Sequence, residues 1–262
     1  MKKRTATLIS AAVLFLAAGC SHLQDWRDRD LKRRYTTNTY PDNPLPAVKT
    51  VGIIALDATY RYPADTTELT TALHTALQQV MGLQVAPDAA VLQAVQTGDY
   101  ILPRDGMKLA DDLGLDGLFV AIVTQYDPYG EPLLGLGLTL FSNAAPAIER
   151  VDMDRVIQGG RDLPLPEGSG AKPVTAVFAV YDASQQNVRR RLKWFAEGQT
   201  AAEVGMGWER YLRTMPNYMK FVSYEIVWSL FTKLQHDAGL RRQESNLRNL
   251  PGGGFSRRPM PP

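Results

Sequence analysis

Apolar residues fall into short runs that alternate with amphipathic stretches over residues 48–126. Residues 51–56 form an apolar run with β-branched side chains, which predicts a buried strand. Asp65 and Glu68 make a capping-box pattern, and apolar residues at helical spacing follow until Gly82. A short strand is predicted at 83–86, a second helix opened by Pro87 and closed by Gly98, a third helix at about 104–113, and a very apolar strand at 118–123. The order is β-α-β-α-α-β.

The second half of the chain predicts antiparallel strands followed by two C-terminal helices. Residues 133–141 form one strand, while residues 174–181 and 188–195 flank a polar turn, as in a hairpin. Gly135 and Gly137 lie in the first of these strands, where close backbone packing explains them better than a dinucleotide-binding loop. Helices are predicted near 201–213 and 216–236. The fold class is therefore α/β, a single three-layer-like domain with a mixed β-sheet and covering helices.

This domain is predicted to span residues 48–240, with a polar loop insertion at 142–172. Residues 20–47 contain a charged stretch and then Thr, Asn and Pro with little periodicity, which is typical of a tether. Residues 241–262 are rich in Arg, Gly and Pro, and they predict a disordered basic tail.

The N-terminus has the pattern of a secretory signal. Lys2, Lys3 and Arg4 precede an apolar stretch that is too short to span a bilayer. The stretch ends in Leu-Ala-Ala-Gly before Cys20, the single cysteine of the chain, and this ending resembles the lipobox of bacterial lipoproteins. The resemblance implies that residues 1–19 are removed and that Cys20 becomes the lipidated first residue. A plain signal peptide with an accidental cysteine is the alternative.

Charge and cysteine content exclude several classes of protein. The chain has 29 Lys and Arg against 27 Asp and Glu, so removing the basic signal leaves it near neutral. The remaining basic excess lies at the two ends, and the domain between them is acidic, which argues against a nucleic-acid partner. A single cysteine excludes a disulfide framework and a cysteine-based zinc cluster.

The sequence offers no catalytic constellation, and no cofactor or metal site is predicted. His74 falls away from the apolar stripe of its helix, as a solvated residue would. Asp152 and Asp154, with Asp162 nearby, could ligate a hard cation, but they lack the glycine and terminal glutamate of a calcium loop. A metal-dependent envelope enzyme using the acidic 142–172 loop therefore stays an alternative.

Two surfaces are candidates for binding a partner. The last helix has an aliphatic stripe suited to a sheet and an opposite aromatic stripe, formed by Phe221, Tyr224, Trp228 and Phe231. The aromatic stripe would pack on Trp208, Tyr211 and Leu212 of the preceding helix or bind another protein. On the predicted strand 188–195, Arg189, Arg191 and Lys193 share one face, which could meet an anionic surface or simply discourage edge pairing.

The domain resembles a superfamily of envelope proteins. The matching stretch, residues 49–126, ends with Ala110, Leu113, Gly114 and Asp116 before the apolar strand. The superfamily includes the curli-secretion channel lipoprotein, the lipoprotein activators of penicillin-binding proteins and the N-terminal domain of the Tol-Pal translocation protein. The resemblance implies a non-enzymatic binding or assembly module.

These observations together predict a lipoprotein of the cell envelope. The residue after the cysteine is Ser21 and not aspartate, and by the same resemblance this implies that lipid on Cys20 holds the protein at the outer membrane, facing the periplasm. We expect it to act as a scaffold or accessory module for an envelope protein, and it could form homo-oligomers. A carrier of an apolar ligand is a further alternative.

Overall fold

Five strands form one mixed sheet in the order β2-β1-β3-β4-β5. The computed structural model describes residues 29–37, 39–59, 61–144, 173–199 and 207–248. The strands are β1 (Thr50–Asp57), β2 (Gln84–Val85), β3 (Gly117–Asp127), β4 (Leu133–Phe141) and β5 (Thr175–Asp182). Strand β1 pairs in parallel with β2 and β3, and β4 runs antiparallel to both β3 and β5. The mixed α/β sheet expected from the sequence is confirmed.

Helices cover both faces of this sheet. They are α1 (residues 29–36), α2 (Thr66–Gln78), α3 (Asp88–Thr97), α4 (Gly106–Asp112), α5 (Gln186–Gln199), α6 (Arg210–Arg213) and α7 (Met215–Arg248). One core cluster joins α1, α2, α5, α6 and α7 to one face of the sheet. A second, smaller cluster joins α3 and α4 to the other face, over β1 and β3. The expected three-layer order follows from these two cores.

Local sequence signals set the first crossover. The Asp65 side chain accepts a hydrogen bond of 2.9 Å from the backbone N–H of Glu68, so the predicted cap begins α2. Beyond its C-terminus, Gly82 adopts a φ of 85°, a conformation that favours glycine. The chain can therefore turn sharply into β2 beside β1.

Asp116 fastens the start of β3 to the start of β1. Its carboxylate accepts hydrogen bonds from the backbone N–H groups of Lys49 (2.9 Å) and Thr50 (2.8 Å) and from the Thr50 hydroxyl. These hydrogen bonds lower the pKa of Asp116. The aspartate that follows Leu113 and Gly114 thus sets the register of the parallel pair.

Glycines in β4 allow close approach, as the sequence predicts. A Cβ on Gly135 would lie 2.7 Å from the Thr124 Oγ1, where a bulge shifts the register between β3 and β4. A Cβ on Gly137 would overlap the ring of Phe178 on β5. The strand therefore uses both glycines for packing.

The prediction of a strand at 188–195 is wrong, because these residues belong to helix α5. Its buried residues, Val188, Leu192, Phe195 and Ala196, follow helical spacing. The alternation of charged and apolar residues over 189–194 is real, but the longer helical period decides the structure. The predicted hairpin is therefore a strand, a turn and a helix.

The two ends of the domain also differ from the predicted boundaries. Residues 29–36 are helical, and Tyr35 is only 1% exposed, so this part of the predicted 20–47 tether packs into the domain. Helix α7 continues to Arg248, past the predicted end near residue 236. The predicted signal 1–19, Cys20, residues 145–172 of the insertion and residues 249–262 of the tail lie outside the described residues.

Candidate functional site

The aromatic stripe of α7 is part of the core. Phe221, Tyr224 and Phe231 are at most 1% exposed, and Trp228 is half-buried. The ring centroids of Phe231 and Phe119 on β3 are 6.2 Å apart, and those of Phe221 and Tyr181 on β5 are 6.1 Å apart. Two members of the aromatic stripe thus contact the sheet, where the aliphatic stripe was expected. The aromatic stripe therefore packs inside the domain, which is the intramolecular alternative, and its three buried rings offer no surface to a partner.

Tyr224 lies where α1 and α5 meet α7. Its ring centroid is 5.3 Å from Phe195 on α5, 5.5 Å from Tyr35 on α1 and 5.0 Å from Tyr40. Phe195 in turn packs on Tyr211, one of the residues expected to cover this stripe. Burial raises the pKa of Tyr224 to about 12, so its hydroxyl stays protonated at neutral pH.

The basic residues 189–193 do not share a face, because they lie on a helix. Arg189 donates to the Ala183 carbonyl at 2.7 Å and pairs with Glu131, whereas Arg191 points to α7 and pairs with Glu225. Lys193 is exposed. Residues two apart on a helix lie about 200° apart, which separates Arg191 from the other two. The predicted basic strand face is therefore absent from the described residues.

Glu225 is the centre of an ionic cluster that joins three helices. It is 2% exposed, and its carboxylate pairs with Arg34 of α1 and, at 2.5 Å, with Arg191 of α5. The Tyr35 hydroxyl donates to the same carboxylate at 2.6 Å. A buried carboxylate needs such partners, because desolvation of an unpaired charge is costly. We name these four residues the α1 lock.

The α1 lock holds more positive than negative charge. Two guanidinium groups share one carboxylate, and the side chains of Arg34 and Arg191 are only 12% and 28% exposed. Burial and the negative charge of Glu225 raise the pKa of Tyr35 far above its ordinary value, so this tyrosine contributes no negative charge. One positive charge in the cluster is therefore not neutralised by Glu225.

Arg34 is also held by stacking. Its guanidinium carbon lies 4.2 Å from the centroid of the Trp228 ring and 4.3 Å from that of Tyr35. Arginine stacks on aromatic faces through cation–π attraction while its edge donates hydrogen bonds. This geometry fixes α1 against α7 by both charge and packing.

A groove beside Arg34 opens to the surface. It has a volume of about 470 Å³ and lies between α1, the segment that follows it and α7. Its lining includes Arg33, Arg34, Thr37, Tyr40 and Trp228. Apolar ring surfaces and cationic groups thus occur together in this groove, which we name the α1 groove.

Strand β5 carries the second exposed feature. Among the strands that the structure describes, β5 lies at one edge of the sheet and pairs only with β4. Phe178 and Val180 on its outer face are 39% and 51% exposed. The Lys233 ammonium donates to the Ala176 carbonyl at 3.1 Å. An edge strand can pair with a strand of another chain, but the Ala176 carbonyl of β5 already accepts from Lys233.

His74 and three acidic residues are the remaining candidates for chemistry. His74 is not solvated as expected, because it is largely buried and its Nδ1 pairs with Asp88 on α3. Within the described ranges, no group of three or more His, Cys, Asp or Glu could hold a metal ion. Asp152, Asp154 and Asp162 lie outside these ranges. None of the helices described there is both long and apolar enough to cross a bilayer.

Sequence reasoning missed the α1 lock. A signal existed, since Glu225 is the one charged residue between Phe221 and Thr232 on a largely apolar stretch. Such a charge predicts a buried partner. Its partners could not be named, because Arg34 lies 191 residues away along the chain.

No protein-family model matches the chain, and no curated protein matches it either. Among solved structures it is similar to lipoprotein GNA1162 from Neisseria meningitidis, at 15% identity and a TM-score of 0.35, over 51% of this chain and 79% of that one. The PelC dodecamer from Paraburkholderia phytofirmans matches at 16% identity and a TM-score of 0.25, over 40% and 69%. The hypothetical protein CT253 from Chlamydia trachomatis matches at 9% identity and a TM-score of 0.35, over 73% and 99%. None of these similarities is close enough to establish a family or a function.

Proposed function

We propose that this protein is a lipoprotein of the bacterial envelope that works as a non-enzymatic binding or assembly module. Lipid on Cys20 would hold it at the outer membrane, facing the periplasm. The observation that carries this proposal is the single cysteine in a lipobox-like context after a short secretory signal. Two or three acyl chains anchor a protein firmly without a transmembrane helix.

The packing of α1 supports a function at the membrane surface. Residues 21–28 separate Cys20 from the described start of α1. A segment of that length reaches about 30 Å when fully extended. Since the α1 lock fixes α1 to the domain, an anchor on Cys20 would keep the domain close to the bilayer. Confinement of this kind raises the effective concentration of the domain for membrane-bound partners.

Lipid on Cys20 can be detected directly. In cells fed a clickable palmitate analogue, the protein should be labelled, and Cys20→Ser should abolish the label and leave the precursor uncleaved. Ser21→Ala is the matched control, because it changes the neighbouring residue and keeps the cysteine sulfur. Cys20→Ser protein that matures and distributes as the parent does would contradict lipid anchoring.

We further propose that the partner is an envelope protein that adds a strand to β5. The exposed side chain of Val180 would pack against a side chain of that strand, while the Phe178 ring lies over Gly137 of β4. Edge backbone groups would supply its hydrogen bonds.

A photo-crosslinking residue at Val180 tests this contact in intact cells. We expect one dominant adduct from this position, and its mass identifies the partner. The matched control is Met81, which is 73% exposed and precedes β2 at the opposite edge of the sheet. Equal adducts from both positions, or none from Val180, would contradict the β5 contact. An adduct of twice the mass of the chain would show that the partner is a second copy of this chain and not another envelope protein.

A further inference from the structure

The α1 groove combines features that suit an anionic group. Arg33 is exposed on α1 and lines the groove next to Arg34. The two arginines of the α1 lock share one carboxylate, so positive charge is in excess beside the groove. In the part of the chain that the structure describes, the buried Nε–H of Arg34 also lacks an acceptor. Buried donors are normally satisfied, so an acceptor that the described residues do not supply would complete this site.

The remaining lining suits a ligand with both a charged and an apolar part. Trp228 and Tyr40 offer ring surfaces, whereas the Thr37 hydroxyl donates to the Arg33 carbonyl and is hydrogen-bonded to the Thr39 hydroxyl. Asp30 is the acidic member of the lining. A free inorganic anion would leave the aromatic surfaces uncovered. A phospholipid headgroup with its glycerol covers them while its phosphate meets the arginines.

The position of the groove on the chain favours a membrane source. The groove is lined by Asp30 and Leu31, at the described start of α1. If Cys20 is lipidated, residues 21–28 cannot carry this helix farther than about 30 Å from the bilayer. The closeness of the groove to the bilayer therefore rests on the proposed function, since it requires lipid on Cys20. The charges and rings that line the groove do not depend on that lipid.

We propose that the α1 groove binds the phosphate of an anionic phospholipid, so that α1 lies on the membrane surface. Arg33 provides the accessible charge, and the guanidinium of Arg34, held between Trp228 and Tyr35, provides a positioned donor. Contact with the headgroup would orient the domain, which a flexible lipid anchor alone cannot do.

The test uses the mature chain from residue 20 to 262 carrying Cys20→Ser, so that no acyl group contributes to binding. Flotation with vesicles of phosphatidylglycerol and phosphatidylcholine should show at least about tenfold stronger binding than with phosphatidylcholine alone. Arg33→Gln should weaken this binding about fivefold, as expected for one basic residue at an anionic surface. The matched control is Lys108→Gln, an exposed cation on α4, which covers the other face of the sheet and should leave binding unchanged.

Trp228 reports whether the groove itself is occupied. In a Trp26→Phe background, which keeps Trp194, Trp208 and Trp228, the anionic vesicles should protect tryptophan fluorescence from acrylamide. Trp228→Phe should remove most of that protection. Binding without protection, or an equal loss of binding in the two charge variants, would mean a diffuse basic surface and would overturn the proposal. Protection by inorganic phosphate at matched ionic strength would assign the groove to the free anion and would also overturn it. None of these outcomes depends on Cys20, so palmitate labelling tests the proposed function separately.

Discussion

Glu225→Leu should lower the free energy of unfolding by about 3–5 kcal/mol, because it leaves two largely buried guanidinium groups without their carboxylate. The Tyr35 hydroxyl would lose its acceptor at the same time. Urea denaturation followed by circular dichroism measures the difference. The matched control is Glu197→Leu on α5, whose carboxylate pairs with Lys32 while the two side chains remain 40% and 51% exposed. This surface pair should contribute less than about 1 kcal/mol.

A second substitution separates the buried charge from the lost packing. Arg34→Leu combined with Glu225→Leu should be more stable than Glu225→Leu alone, because one unpaired cation is removed and apolar volume replaces it. Arg191 is partly exposed and can turn towards solvent. If Glu225→Leu is no more destabilising than Glu197→Leu, the α1 lock does not hold α1.

The sequence predicts those elements whose signals are local. Strand β1, the Asp65 cap, α2 and the apolar β3 follow from runs, caps and spacing within about 15 residues. Helix α5 shows how two signals can compete over one segment. Its residues alternate over 189–194, yet Val188, Leu192 and Phe195 also follow the helical period, and their burial between α1, α6 and α7 favours the helix.

The candidate site depends on contacts that no local pattern contains. The sequence shows that α7 is apolar on two sides, but it does not show which side meets the sheet. Helix α1 is charged and short, so propensity alone would not stabilise it in water. Its structure comes from Tyr35, Arg34 and their partners in α7, which lie some 190 residues away. Both the tether boundary and the lock follow from this long-range packing.

The close crossing of α1 and α5 gives a second large effect. A Cβ on Gly198 would overlap the backbone carbonyl of Tyr35, and its next neighbour would be the Thr36 Cα at 3.2 Å. Backbone atoms cannot swing away as side chains can, so α1 must move as a unit. Gly198→Leu should therefore destabilise the domain by about 2–3 kcal/mol. It should also expose α1 to trypsin, because this helix contains Lys32, Arg33 and Arg34.

The control for Gly198→Leu is Gly239→Leu in α7, where no atom of the described residues lies within 4 Å of an added Cβ. Leucine is a better helix former than glycine, so this variant should be as stable as the parent or up to about 1 kcal/mol more stable. Urea denaturation and the rate of tryptic cleavage within α1 compare the two proteins. Both variants replace a helical glycine by leucine, so the difference between them reports mainly the α1–α5 contact. Equal stability and equal cleavage of the two variants would show that α1 does not pack against Gly198. The position of Arg33 and Arg34 in the α1 groove would then be wrong as well, because both residues belong to α1.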